Sequence, residues 1–96
     1  MHPDKVDRAK LERLVDLPNV GPAMEGDLQS IGIDRPEQLQ GRCPLELYQP
    51  LCVTSGMRQD PCVLDVLMSI TCFVDGAPAR SWWSYTDERK SRYGAL

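Results

Sequence analysis

The chain contains a single histidine, His2, and no two cysteines closer than nine residues apart. Zinc is held by cysteine and histidine in closely spaced pairs, so Cys43, Cys52, Cys62 and Cys72 do not read as a metal site, and no cofactor is expected. Absent too are a G-x-S-x-G elbow, a phosphate-binding P-loop, an H-E-x-x-H pair and any carboxylate framework built with a histidine. Catalysis has no visible carrier, and a non-enzymatic protein is expected. The longest apolar run, Val63 to Val74, is interrupted by Asp65, and residues 1–13 are charged throughout. Neither a membrane span nor a secretory leader is therefore expected, and a cytoplasmic location is the default. A basic excess is missing as well: 11 Lys and Arg face 14 Asp and Glu, for a net charge of −3. Residues 1–48 carry six basic and nine acidic groups, and residues 49–96 carry five of each. Affinity for a polyanion comes largely from Lys and Arg displacing counterions, so this balance opposes a dedicated nucleic-acid binder.

What is present suffices for one folded domain. Ninety-six residues, 42% of them apolar, can build a single modest core. The cysteines read as reduced thiols serving as small core hydrophobes, with a Cys52–Cys62 contact as the alternative. Cys62 falls at a helix start, which can lower a thiol pKa, but Asp60 and Asp65 flank it and act the other way.

The most informative stretch runs from Leu17 through Pro18, Asn19, Val20, Gly21 and Pro22 to Leu28. Pro18 halts whatever helix precedes it. Asn19 and Gly21 both tolerate positive φ, as a tight reversal requires, and Pro22 suits the first position of a new helix. Upstream, Val6, Ala9, Leu11, Leu14 and Val15 lie near the helical period, predicting a first helix from about Lys5 with Asp4 as its cap. Downstream, Met24, Leu28 and Ile31 predict a second helix over about 22–31, closed by Gly32, with Gly26 marking close approach of the first helix. Further on, a short helix begins at Pro36. Another begins at Pro44, with Pro50 expected to kink or shorten it, and the broadest apolar face follows Asp60-Pro61. Gly76-Ala77-Pro78 breaks that helix, and Thr86 reads as the cap of a short closing helix.

Apolar-Pro-Asn-apolar-Gly-Pro followed by a helix resembles the helix-hairpin-helix motif. Ile31-Gly32-Ile33, Pro36 to Leu39 and Leu45 to Tyr48 look like the continuation found in competence-regulator C-terminal domains. With Cys52, Asp60 to Asp65, and Trp82-Trp83 ahead of Tyr85 to Lys90, the chain resembles small bacterial stand-alone helix-hairpin-helix proteins labelled "pathogenicity locus" or "mitomycin resistance". The resemblance covers residues 10 to 93. It implies an all-α fold, a SAM-like small helical domain of five or six short helices on a helix-hairpin-helix core. Residues 1–4 are expected to be disordered, 5–75 to form the domain, and 76–96 to be a tryptophan-containing extension packed on it. A second helix-hairpin-helix, which would let the protein grip both strands of a duplex, is not legible.

The resemblance also implies sequence-independent contact with DNA phosphates, in the setting of damage tolerance or repair. Asn19 and the main-chain amides of Val20, Gly21 and Ala23 would form the contact, helped by Lys10 and Arg13. Glu25 and Asp27 stand where DNA-binding relatives usually place Lys or Arg. The hairpin is therefore open to a second reading as a packing device in a protein-interaction adaptor. Trp82 and Trp83 with Arg89 and Lys90 are a further candidate surface, for stacking on nucleobases or holding a protein. The alternative is that one indole anchors the tail and the other is half exposed.

Overall fold

Asp60 and Pro61 start the helix around which everything else is arranged. The Asp60 carboxylate accepts the Cys62 amide at 2.9 Å, and Pro61 occupies the first turn, where its missing N–H costs nothing. In the computed structural model, which describes residues 1–94, this helix spans Pro61–Val74 and is the third of four α-helices. The first, α1, is Pro22–Ser30; α2 is Pro44–Ser55; the central helix is α3; and α4 is Thr86–Tyr93. Short 3-10 turns at Pro3–Lys5, Arg8–Lys10, Leu14–Asp16, Pro36–Leu39 and Trp82–Tyr85 connect them, and there is no strand among the described residues. The fold is all-α, as expected. The count of α-helices is four rather than five or six.

A helix apolar on one broad face is expected to bury that face; α3 is buried nearly all round. Leu64, Leu67, Met68 and Ile70 are fully enclosed, and even Asp65, Ser69 and Thr71 are buried. Turn 36–39, α2, turn 82–85 and α4 each pack on it. From α2 come Leu47, Tyr48 and Leu51; from the turns come Leu39 and Tyr85. Pro50 neither ends nor shortens α2, which continues to Ser55 and closes on Gly56 at a φ of 73°. The residue sits on the exposed side of the helix.

Asp65 is the polar group that this burial must satisfy. Its carboxylate accepts Arg89 Nε at 2.8 Å and Thr86 Oγ1 at 2.8 Å. Thr86 is thus spent on α3 and does not cap α4, which continues directly from turn 82–85. These two bonds dock the C-terminal extension; its last two residues, 95–96, lie outside the described residues.

The largest departure from expectation is at the N-terminus. Residues 5–15 do not form an α-helix but two 3-10 turns and the start of a third, with Val6, Leu11 and Arg13 extended between them. Local side chains intercept the amides a helix would need. Asp7 accepts the Ala9 amide, Asp16 accepts those of Glu12 and Arg13, and His2 rather than Asp4 caps the first turn. Such bonds compete directly with helix formation. Arg8 then ties the segment to the end of α3, donating to the carbonyls of Phe73 and Ala77 with its guanidinium 3.9 Å above the Phe73 ring. Val6 and Leu11 pack on the core although no helix presents them. Gly26, expected to admit a neighbouring helix, is exposed, and a Cβ there would meet nothing within 4 Å.

Two substitutions should move stability in opposite directions in a urea unfolding titration. Arg89→Ala leaves the Asp65 carboxylate buried and unpaired and should cost about 3–5 kcal/mol. Gly26→Ala removes backbone freedom from the unfolded chain without steric conflict and should add up to about 1 kcal/mol.

Candidate nucleic-acid interface

The reversal at residues 17–20 follows from its sequence. Val20 donates its amide to the Leu17 carbonyl at 3.4 Å, with Pro18 second in the turn and Asn19 third at a φ of 67°. Proline followed by a positive-φ residue is the type II signature, and asparagine pays less strain there than most side chains. Gly21 does not share that role; its φ is −106°, ordinary extended backbone. Leu14, Leu17 and Val20 plug the reversal into the core beside Leu28 of α1. Its entry is set by Asp16, whose carboxylate is held below the usual carboxylate range by the two amides it accepts. Met1, expected to trail free, runs along the turn. Its amino group donates to the carbonyls of Leu17 at 3.0 Å and Val20 at 2.6 Å, and its carbonyl accepts the Asn19 amide at 2.7 Å. Burial lowers the pKa of that amino group, with Asp16 opposing the shift.

The four hairpin candidates therefore divide. Val20 leaves the set: it is buried and its amide is taken by Leu17. The Asn19 amide is taken by Met1, and its side chain turns inward, donating to Ser69 Oγ at 3.0 Å and to the Arg80 carbonyl at 2.8 Å. Asn19 positions the site and does not line up as a phosphate donor. Gly21 and Ala23 are exposed at the opening of α1, where no side chain caps the helix, and among the described residues neither amide has an intramolecular acceptor. A Cβ on Gly21 would meet nothing within 4 Å.

Basic help is thinner than expected. Arg13 is paired with Glu25 at 2.9 Å, which also neutralises one of the two acids near the helix start. Lys10 is exposed and lines a recess with Met1, Lys5, Asp7 and Asp16, so two carboxylates and a second lysine share its surroundings. In the tail, Arg89 is committed to Asp65, and Arg80 lies 4.3 Å above the Tyr85 ring; Lys90 is exposed.

The tryptophans are brought to the hairpin. Met1, His2, Pro3, Asn19, Val20, Gly21, Ser81, Trp82 and Trp83 line one groove of about 310 Å³. The two indoles meet nearly edge to face, 5.7 Å between centroids at 84°. Trp82 is half-buried, whereas Trp83 is 64% exposed. Proximity of residues 19–21 to 81–83 was not visible in the sequence; the buried Ser69 and the carbonyl of Arg80, which create it, carry no motif.

The four cysteines are free. Cys52 Sγ accepts the Gln59 amide at 3.4 Å, and burial, then Asp60, pushes the Cys62 thiol upward in pKa, away from reactivity. No group of three or more His, Cys, Asp or Glu among the described residues could hold a metal ion, and none of their helices is long and apolar enough to cross a membrane.

The Asn19 clamp has a measurable signature. Asn19→Ala should lose about 2–4 kcal/mol, from strain at positive φ and two lost hydrogen bonds, whereas Asn19→Gly should lose only about 1–2 kcal/mol. Both should speed amide hydrogen exchange over residues 81–85. Native exchange there in Asn19→Gly would show that the clamp holds nothing.

Comparison with known proteins places the chain. The family model described as Cdd1, pathogenicity locus, matches residues 7–91. A curated relative, "Mitomycin resistance protein McrB" of Streptomyces lavendulae, is 46% identical over 77 residues, covering 80% of this chain and 73% of the relative. No solved structure matches. A family match running from the second 3-10 turn through most of α4 shows that this chain belongs to the pathogenicity locus family.

Proposed function

We propose that this protein is a non-catalytic, cytoplasmic nucleic-acid-binding accessory protein, and that residues 14–30 act as a helix-hairpin-helix unit in which a 3-10 turn replaces the first helix. The amides of Gly21 and Ala23 take a DNA phosphate without reading sequence. The observation that carries this reading is that α1 opens at an exposed glycine with no side-chain cap, so donors at the electropositive end of a nine-residue helix remain unspent. Pairing of Glu25 with Arg13 supports it by removing one of the two charges that would repel a phosphate. Asp27 stays exposed, and with a net charge of −3 the affinity is modest. The name of the relative, mitomycin resistance protein, supports a role in tolerance of DNA damage.

A second reading, a protein-interaction adaptor, is favoured by the exposure of Trp83, since aromatic side chains are enriched where proteins meet. Salt dependence separates the two. A phosphate binder loses DNA affinity as salt rises, by about 0.9 in log K per log salt for each phosphate neutralised, whereas an adaptor retains no DNA even at low salt.

Gly21→Asp is the decisive variant. There is room for the side chain, and an aspartate at this position caps α1 itself, so the fold should be unchanged or slightly more stable. Its carboxylate would accept the Ala23 or Met24 amide and repel phosphate from the residue 21 amide. In a fluorescence anisotropy titration at two salt concentrations, DNA binding should be lost while the melting temperature holds. Undiminished binding by the variant would remove the hairpin from the site.

A further inference from the structure

We propose that the groove beside the hairpin receives an unpaired base of single-stranded DNA against the Trp83 indole, beside the phosphate contact; this rests on the phosphate-binding reading above and names the form of nucleic acid that the site accepts.

Three observations converge on it. First, Trp83 is 64% exposed on a short, well-packed turn in which Tyr85 is buried, so a large apolar ring is displayed on a rigid support. Its perpendicular contact with Trp82 means that the pair does not stack on itself, leaving indole surface for another flat ring. Second, the indole and the hairpin have a fixed spacing. The Asn19 side chain bonds the Arg80 carbonyl, two residues before Trp82, and Ser69 on the buried face of α3. Third, the space between them is a groove of about 310 Å³ whose wall includes Gly21 itself, with His2, Asn19 and Ser81 offering polar edges. That volume is at the small end of organic-ligand pockets, fit for one planar base and its sugar but not for a helix or a duplex.

The choice of occupant follows from charge and geometry. A duplex keeps its base faces stacked inside and can offer the groove only a backbone, whereas a single strand can place a base on an aromatic face while its phosphate sits alongside. No lysine or arginine lines the groove, and Arg8, Arg13, Arg80 and Arg89 are each engaged elsewhere within the protein. Stacking adds affinity without cations and without sequence preference. A protein partner is disfavoured because the concave, hairpin-walled side of the indole would not be covered by a flat surface.

The test uses the 96-residue chain, a ten-residue oligo(dT), its duplex with oligo(dA), and a ten-residue abasic strand with the same number of phosphates, at low salt. Native protein should bind oligo(dT) more tightly than the duplex or the abasic strand, with quenching of tryptophan fluorescence. Trp83→Ala should weaken oligo(dT) binding by about 5-fold to 150-fold, the effect of one base–aromatic stack, while duplex and abasic binding and the melting temperature stay unchanged. Equal binding of oligo(dT) and the abasic strand, or undiminished oligo(dT) binding by Trp83→Ala, would overturn the base-stacking proposal while leaving the phosphate contact standing. Failure of all three probes to bind native protein at low salt would overturn both. Trp83→Phe, which keeps an aromatic face, should restore part of the lost affinity; no recovery would also count against stacking.

Discussion

The carboxylate of Asp65 sits in the middle of a helix with no solvent side, and the fold must supply its counter-charge from elsewhere in the chain. An unpaired carboxylate in such a place would be far too costly to keep ionised. Arg89 provides the charge and Thr86 a second donor, so the C-terminal segment is drawn across α3 in one orientation. That docking decides where turn 82–85 lies: Tyr85 faces inward, and Trp83, two positions earlier, is displayed outward. The aromatic surface of this protein is thus a consequence of neutralising one buried acid.

On the opposite side of the groove, the hairpin is held by different means. Hydrophobic plugs at Leu14, Leu17 and Val20 fix its depth, and the Asn19 amide fixes its lateral position against Ser69 and Arg80. Arg8 performs a similar task further up the N-terminal segment, bonding the carbonyls of Phe73 in the last turn of α3 and Ala77 beyond it, and covering the Phe73 ring. Arg13, Arg80 and Arg89 likewise engage partners within the protein. Under the function proposed, backbone donors and an aromatic face do the work that a basic patch does in more strongly charged binders, and weak binding follows from that substitution.

Sequence and structure agree at the proline helix starts and at the Asp60 cap, though the caps expected at Asp4 and Thr86 are not used. Pro22, Pro44 and Pro61 each begin an α-helix, Gly32 follows the end of α1 at positive φ, and Asp60 caps α3. They disagree where several weak preferences compete. The apolar spacing of Val6, Ala9, Leu11, Leu14 and Val15 reads as helix, yet Asp7 and Asp16 take backbone amides for their own carboxylates and break the segment into 3-10 turns. Gly26 misleads for the reverse reason: it lies on the exposed side of α1, where a Cβ would meet nothing within 4 Å; Pro50 does not shorten α2. In the candidate site, Gly21 and Ala23 were legible from the Gly-Pro helix start. The actual part played by Asn19 was not, because a side-chain amide aimed inward leaves the same letter in the sequence as one aimed at a ligand.

What the sequence determined by itself was the all-α class of fold, the starts of α1, α2 and α3, and a tight reversal ahead of Pro22. These depend on φ preferences, caps and residue inventory, all of which act within a few positions along the chain. The tertiary structure alone decided that Arg13 and Arg89 serve acids rather than solvent. It also decided that Val20 is core and that a hairpin near the start of the chain shares a groove with tryptophans more than sixty positions later. Such pairings are selected by which buried charges and unspent amides have to meet once the chain is compact, and no short-range preference encodes that requirement.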